Sequence, residues 1–345
     1  MEILAKGLAL LLGASAVLRP AVWAQGLTDW WPDPSTHRGL AVWVSYTRDY
    51  DTLWSDPNLA GQEVASIARS GVEVVLLSIS SSPSQPYLQR LSDRTDQFTS
   101  DVQYVLNLLT ANEVRACASI LSDDFTGSPG QMARYVLVDN LLAFNASLGP
   151  NDTGFNCVAT DLEMTAWSRT TVVYDLWRQF HANMRDEIAS GGGGIHLLAW
   201  IQGPDFLISQ MDSPDDRDQL MQRENITFDV TPGLFDGAFQ YFTVLNALPI
   251  FDAVIPMWYF TPAMPYFVRL DHNIRELDGL GIANLYLVAG VMIQNSTGVC
   301  CSGCVRGRSD FDDRLNYNDA VRQQFPEFIG TGVFLWPILD DWTCP

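Results

Sequence analysis

Eight apolar runs recur along the 345-residue chain, and this repetition limits its fold more than any other feature. The runs are rich in β-branched and aliphatic residues with few polar interruptions, which is typical of parallel strands buried on both faces. They occupy residues 39–46, 72–80, 114–121, 155–163, 195–202, 251–260, 285–293 and 332–339. We therefore expect one large parallel sheet.

The segments between the runs favour helices. Residues 60–71, 131–149 and 170–194 have amphipathic patterns and end in glycine, a common helix stop. Eight β–α repeats over about 300 residues predict a (β/α)8 TIM barrel, as a single domain over residues 25–345. A doubly wound open sheet is the alternative, but no G-x-G-x-x-G follows the first run, which argues against its dinucleotide-binding form.

Composition excludes several classes of function. A hydrophobic content of 47% with 17% charged residues indicates a sizeable core. The net charge of −20 argues against nucleic acids and anionic membrane surfaces as partners. Lys6 is the only lysine and lies near the N-terminus, so Schiff-base, pyridoxal-phosphate and P-loop chemistry lack the side chain that they require.

The first 24 residues have the pattern of a secretory signal peptide. Lys6 precedes an apolar run from Leu8 to Leu18, and Val22-Trp23-Ala24 resembles a cleavage site before Gln25. The run is too short to cross a bilayer, although an uncleaved anchor or a buried helix is the alternative. We expect a secreted protein, monomeric and without a membrane partner after cleavage.

Cysteines and glycosylation sequons agree with secretion. Six cysteines, an even number, are typical of disulfides formed in an oxidising compartment. Cys117 and Cys157 lie on adjacent predicted strands and either pair or remain buried thiols. The other four could form two bridges: Cys300, Cys301, Cys304 and Cys344. Four Asn-x-Ser/Thr sequons begin at Asn145, Asn151, Asn225 and Asn295, which suggests a eukaryotic glycoprotein.

The fourth run, FNCVATDLE, has two acids at its end, Asp161 and Glu163. Residues i and i+2 of a strand share a face about 7 Å apart, so the two carboxyl groups are expected to share one environment. Such pairs push their pKa values apart, which suits acid–base catalysis. Active sites of TIM barrels lie at the carboxyl ends of the strands, where these residues fall. The alternative is that both acids are solvated loop residues.

The surroundings of this pair favour one type of glycoside hydrolysis. A retaining glycosidase with two carboxylates needs a nucleophile about 5 Å from its acid. The seventh run continues as GVMIQNST and offers no carboxylate. A single acid beside an Asp fits substrate-assisted hydrolysis, in which the 2-acetamido group of the sugar is the nucleophile. Glu163 would be the acid, and Asp161 would orient the acetamide.

Three motifs in register resemble family 18 glycoside hydrolases, the chitinases and endo-β-N-acetylglucosaminidases. TGFNCVATDLEM is similar to the strand-four motif D-x-x-D-x-D-x-E, with Asp161 and Glu163 matching its last two acids. IPMWYF resembles the strand-six motif M-x-Y-D at Met257 and Tyr259. GVFLWPILDD resembles strand eight, whose tryptophan, here Trp336, forms the floor of the sugar site.

This resemblance implies roles for each matching residue. Glu163 would be the general acid, Asp161 its partner, Tyr259 the donor to the acetamide and Trp336 the stacking surface for the sugar. The implied partner is a glycan that contains N-acetylglucosamine, with no cofactor. The alternative is that Tyr259, Trp336 and Met257 are ordinary core residues.

The sequence also departs from the family pattern. Asn156 and Ala159 replace the first two acids of the strand-four motif, Phe260 replaces the Asp of strand six, and Ser119 begins SILS in place of S-x-G-G. These changes leave two other functions open. One is a catalytically inactive, lectin-like glycan-binding protein on the same barrel. The other is a glycosidase for an unrelated sugar with a different nucleophile.

Further sugar contacts are expected from residues late in the predicted strands, unless these belong to the core: Trp43, Tyr46, Gln202 and Trp258. The four histidines are scattered, without H-x-x-x-H spacing or a carboxylate cluster, so we expect no metal site.

Overall fold

The protein is a closed (β/α)8 barrel. The computed structural model describes residues 37–79, 87–121, 136–161, 171–191, 194–202, 213–223, 250–257, 287–292, 308–325 and 328–334. Every strand pairs in parallel with its neighbours in sequence, and the last strand pairs with the first. The predicted TIM barrel is confirmed, and the open-sheet alternative is wrong because a doubly wound sheet would leave two edge strands. The predicted signal peptide lies outside the described residues.

The strands coincide closely with seven of the eight apolar runs. They are β1 (Leu40–Val44), β2 (Val74–Ser78), β3 (Arg115–Leu121), β4 (Cys157–Asp161), β5 (His196–Gln202), β6 (Ala253–Met257), β7 (Leu287–Met292) and β8 (Phe328–Phe334). The α-helices of the described residues are α1 (Pro57–Arg69), α2 (Tyr87–Arg90), α3 (Gln97–Ala111), α4 (Val136–Ala146), α5 (Thr171–Ser190), α6 (Pro214–Arg223) and α7 (Arg308–Gln324). A π-helical turn, Tyr50–Trp54, precedes α1.

Aspartate side chains cap the first turns of α1 and α3. The carboxylate of Asp56 accepts from the backbone N–H of Asn58 at 2.8 Å, and Pro57 occupies the first position of α1. Asp96 caps α3 in the same way, accepting from the N–H of Phe98 at 2.9 Å. These side chains satisfy amide groups that have no partner inside the helix, so they fix where each helix begins.

Strands β1, β2 and β4 are buried along their whole length, and the described strand residues contribute to two cores. Residues on the inner face fill the barrel: Ala41, Trp43, Val74, Leu76, Cys117, Cys157, Ala159, Leu198, Ala253, Ile255 and Ile329. Their neighbours in sequence, such as Val42, Val75 and Val158, pack outward against the helices. Burial of both faces explains why the strands appear in the sequence as continuous apolar runs.

The eighth strand begins four residues before its apolar run, at Phe328 instead of residue 332. Gly330 interrupts the apolar pattern there, and its role is steric. A Cβ on Gly330 would collide with the backbone carbonyl of Gly39, which itself has a φ of +61°. The barrel therefore closes where two glycines allow the backbones to touch.

A polar cluster holds the start of β1 at the amino end of the barrel. The carboxylate of Glu73 accepts from the N–H of Gly39 at 2.5 Å and contacts the ring of His37 at 2.9 Å. Arg322 of α7 donates to the carbonyl oxygens of Arg38 and of His37, the latter at 2.9 Å. The last helix is thereby tied to the first strand.

A second polar link joins α5 to β5 and β6 at the same end. Arg185 makes a bidentate ion pair with Asp252, with N···O distances of 2.7 and 2.5 Å, and the N–H of Leu197 donates to the same carboxylate at 2.8 Å. Burial favours the neutral acid, but hydrogen bonds from His196 and Arg185 outweigh it and lower the pKa of Asp252 to about 2. Asp252 is therefore ionised across the physiological range.

A disulfide links β3 and β4 inside the barrel. Cys117 and Cys157 are direct register partners with Cα atoms 4.4 Å apart, and both residues are fully buried. Pairing, one of the two possibilities left open by the sequence, is confirmed. The other four cysteines lie outside the described residues.

Among the described residues, no helix is both long and apolar enough to cross a membrane.

We expect Gly330→Ala to lower the free energy of unfolding by about 1–3 kcal/mol or more, because the new methyl group meets backbone that has no room to move. Gly61→Ala is the matched control. Gly61 lies within α1 with open space around its Cα, so alanine should stabilise the protein by about 0.5–1 kcal/mol. Urea denaturation followed by tryptophan fluorescence measures both. Equal effects of the two variants would contradict the steric role of Gly330.

Replacing both Cys117 and Cys157 by alanine should lower the free energy of unfolding by about 4 kcal/mol, because the bond closes a loop of 40 residues in the unfolded chain. In the wild type, thiol alkylation of the denatured, unreduced protein should leave both cysteines unlabelled, because both are fully buried in the folded protein and only unfolding exposes a free thiol to the reagent. Labelling of either one, or unchanged stability of the double variant, would refute the bond.

Candidate active site

Asp161 is the last residue of β4 and lies at the carboxyl end of the barrel. It has the same parity as Cys157 and Ala159, whose side chains belong to the inner core, so Asp161 also faces the barrel interior. Only 7% of it is exposed. Asp161 is therefore a buried strand residue, not a solvated loop residue.

Two other predicted site residues end neighbouring strands. Gln202 is the last residue of β5 and Met257 the last of β6, and they are direct register partners. The carboxyl ends of β4, β5 and β6 thus lie side by side on the rim of the barrel, beside Asp161. Glu163, Tyr259, Trp258 and Trp336 lie outside the described residues, as does Phe260.

The two aromatic residues predicted from the first run have different surroundings. Trp43 belongs to the inner core of the barrel and is 6% exposed. Tyr46 follows β1 and is completely buried in an outer aromatic cluster. Its ring stacks on Trp54 with centroids 5.2 Å apart and makes a T-shaped contact with Phe98 with centroids 5.9 Å apart. Tyr46 thus packs the loop after β1 against the outer core.

Electrostatics keep this cluster neutral. Burial, together with the nearby Asp101 and Tyr50, raises the pKa of Tyr46 well above its usual value. The hydroxyl group of Tyr50 donates to Asp101 at 2.5 Å. Tyr46 is consequently a neutral phenol at physiological pH, and its ring packs within this cluster.

A row of small residues crosses the barrel just below Asp161. Ser78, Ser119 and Ala159 are successive register partners on β2, β3 and β4. Ser119 is completely buried, and its hydroxyl group has no hydrogen-bond partner in the part of the chain that the structure describes. Ala159 is also fully buried. The row therefore offers hydroxyl groups but no carboxylate where the family 18 pattern has one.

One carboxylate near this end was not predicted from the sequence. Asp49 lies in the connection between β1 and α1 and is partly buried. Burial raises the pKa of Asp49, an effect opposed by the charge of Arg48 and a hydrogen bond with Ser45. Its position five residues after a strand, in a polar loop, gives no signal that distinguishes it from an ordinary turn residue.

His181 of α5 fixes the outer face of the β4 end. Its Nδ1 lies 2.8 Å from the carbonyl oxygen of Trp177, and its Nε2 lies 2.8 Å from the hydroxyl oxygen of Thr160. A carbonyl oxygen can only accept, so Nδ1 carries the proton and Nε2 accepts from Thr160. Thr160 directly precedes Asp161. The hydrogen bond between Thr160 and His181 therefore fixes the backbone of β4 next to Asp161.

Burial determines the charge of this histidine. The ring is completely buried, which lowers the pKa of His181 to about 3 despite its hydrogen bond to the backbone of Trp177. The neutral tautomer described above therefore persists through the physiological range.

The described residues contain no group of three or more His, Cys, Asp or Glu side chains that could hold a metal ion. The predicted absence of a metal site remains a prediction.

Comparison with known proteins gives similarity in three dimensions only. No protein family matches the sequence, and no curated protein is similar to it. A GH18 chitinase from the chitin utilization locus of Flavobacterium johnsoniae superposes with a TM-score of 0.46 and 14% identity over 89% of both chains. A GH10 endoxylanase from a sugarcane soil metagenome gives 0.48 and 10% over 89% of both chains. The spore cortex-lytic enzyme of Bacillus megaterium gives 0.46 and 9% over 88% of this chain and 71% of its own. Similarity at this level does not assign a family.

The pKa of His181 predicts how stability depends on pH. The unfolded ring titrates near 6.5 and the folded ring near 3, so protons bind preferentially to the unfolded chain between these values. The contribution of the neutral ring is complete above pH 6.5 and declines as the pH falls toward 3, by on the order of 5 kcal/mol in all. Urea denaturation at pH 7, 6, 5 and 4 measures this decline.

His181→Gln should flatten this pH dependence, whatever its effect on stability at pH 7. The control is Gln179→Ala, which changes an exposed residue of the same helix that does not titrate. It should keep the pH dependence of the wild type. An unchanged slope in His181→Gln would show that another group causes the acid sensitivity.

Proposed function

We propose that the protein is a secreted glycoside hydrolase that cleaves β-linked glycans containing N-acetylglucosamine, such as chitooligosaccharides or the N-glycan core. The observation that carries the proposal is the position of Asp161, buried and facing inward at the carboxyl end of β4. The matches at Glu163, Met257, Tyr259 and Trp336 support it.

In this mechanism the substrate supplies the nucleophile. The acetamido oxygen of the sugar attacks the anomeric carbon as Glu163 gives its proton to the leaving glycosidic oxygen. Asp161 holds the acetamide N–H and stabilises the positive charge that develops on the cyclic intermediate. Glu163, now ionised, takes a proton from the water that opens this intermediate, and the anomeric configuration is retained.

The surroundings of Asp161 suit this role. A carboxylate that must orient an acetamide needs a fixed backbone and little access to water, since both strengthen its interaction with the developing charge. The Cys117–Cys157 disulfide holds β3 to β4 on the inner side, and the Thr160–His181 hydrogen bond holds β4 on the outer side. Tyr259 would donate to the acetamide oxygen, and Trp336 and Trp258 would bind the sugar faces.

Glu163→Gln should lower kcat by about 10²- to 10⁴-fold with little change in glycan binding, because it removes the transferable proton and keeps the shape. Mass spectrometry of products from chitooligosaccharides and chitobiose-core N-glycans, between pH 3 and 8, measures this. Asp161→Asn should also lower kcat. Asp312→Asn, which removes a half-exposed carboxylate of α7, is the matched control and should leave activity unchanged.

Three outcomes would overturn the proposal. Full activity of Glu163→Gln would exclude it as the general acid, and products with inverted anomeric configuration would exclude an acetamide nucleophile. Glycan binding without products at any pH would establish a lectin-like protein. Ala159→Asp and Phe260→Asp would then test whether the missing acids explain the loss of catalysis.

A further inference from the structure

The described residues include two glycosylation sequons, and the fold treats them differently. Asn145 lies in the last turn of α4, and Asn151 lies in the connection from α4 to β4. Both belong to the amino end of the barrel, because this connection leads into the first residue of β4. The sequence alone makes them equivalent, since each is followed by Ser or Thr at the third position and neither contains proline.

Both polar atoms of the Asn145 side chain form hydrogen bonds with the backbone. Its Nδ2 donates to the carbonyl oxygen of Phe155 at 2.8 Å, and its Oδ1 accepts from the N–H of Phe155 at 2.9 Å. Phe155 is 2% exposed, so these two backbone groups have little access to water as an alternative. The Asn145 side chain is also packed closely against Gly154, because a Cβ at position 154 would collide with Oδ1 of Asn145. A sugar on Nδ2 would occupy space that this contact fills.

Asn151 is open in the same structure. It is exposed and lies in a turn, and Gly149 and Asp152 on either side are joined by a hydrogen bond of 3.2 Å that shapes this turn. The chain after it is anchored, since the N–H of Thr153 donates to Asn107 at 3.0 Å. The sequon is thus presented on a defined turn whose Asn has solvent around it.

We propose that Asn151 carries an N-linked glycan in the secreted protein and that Asn145 remains unmodified. The glycosyl donor is a lipid diphosphate-linked oligosaccharide of the secretory pathway. The bond from Nδ2 to the anomeric carbon forms as the carbon–oxygen bond to the diphosphate breaks. The diphosphate leaves with the electron pair, and the amide nitrogen loses one proton. The inference rests on the proposed route of secretion, but not on the proposed hydrolysis.

The test expresses the full chain behind a vector-encoded signal sequence in eukaryotic cells, so that delivery does not depend on residues 1–24. Enzymatic release of glycans in ¹⁸O water converts each glycosylated Asn into a heavy Asp, which peptide mapping by mass spectrometry locates. We expect the heavy label at Asn151 and its absence from Asn145. A label at Asn145 in the folded, secreted protein, or no label at Asn151, would overturn the proposal.

Matched variants separate loss of a glycan from loss of the fold. Asn151→Gln should lower the mass by one glycan, and Thr153→Ser should keep the glycan because it keeps the sequon. Ser147→Ala removes the other sequon without touching Asn145 and should leave the mass of the glycans unchanged. A glycan that Ser147→Ala removes would contradict the assignment.

Discussion

The pairing of β8 with β1 is the contact on which the rest of the structure depends. Without it the sheet has two open edges, and the helices have no closed surface to cover. This pairing is possible because Gly39 and Gly330 let two backbones approach more closely than any side chain would allow. Arg322 and Glu73 then hold the same segment through its carbonyl and amide groups. The close approach of the two glycines and the hydrogen bonds of Arg322 and Glu73 thus stabilise the same β8–β1 contact.

The two ends of the barrel are built from different chemistry. At the amino end, ionised side chains such as Asp252 and Arg185 join helices to strands and are satisfied by each other and by the backbone. At the carboxyl end, the strands finish in Asp161, Gln202 and Met257, with the small residues Ser119 and Ala159 just below. The paired polar groups therefore lie at the amino end, and active sites of this fold generally lie at the opposite, carboxyl end.

Much of the fold could be predicted from the sequence because burial on both faces leaves a direct trace, the continuous apolar run. The start of β8 could not, since the glycines that close the barrel interrupt its run. Asp161 could be placed because an apolar run gives way to acid at that residue. The packing of Tyr46 could not, because an aromatic residue late in a strand has the same pattern whether it meets a ligand or Trp54. Asp49 was missed because its burial arises from tertiary packing and leaves no mark in its own loop.

The disulfide inside the barrel constrains the order of assembly. Once the eight strands have closed, the sulfur atoms of Cys117 and Cys157 are sealed from any oxidant or isomerase in solution. The bond must therefore form while β3, α4 and β4 are still an open unit, before the first and last strands meet. A chain that closes too early would carry two thiols that oxidation can no longer reach. Maturation in an oxidising compartment would then depend on timing. The disulfide would have to form within the β3–α4–β4 unit before β8 pairs with β1.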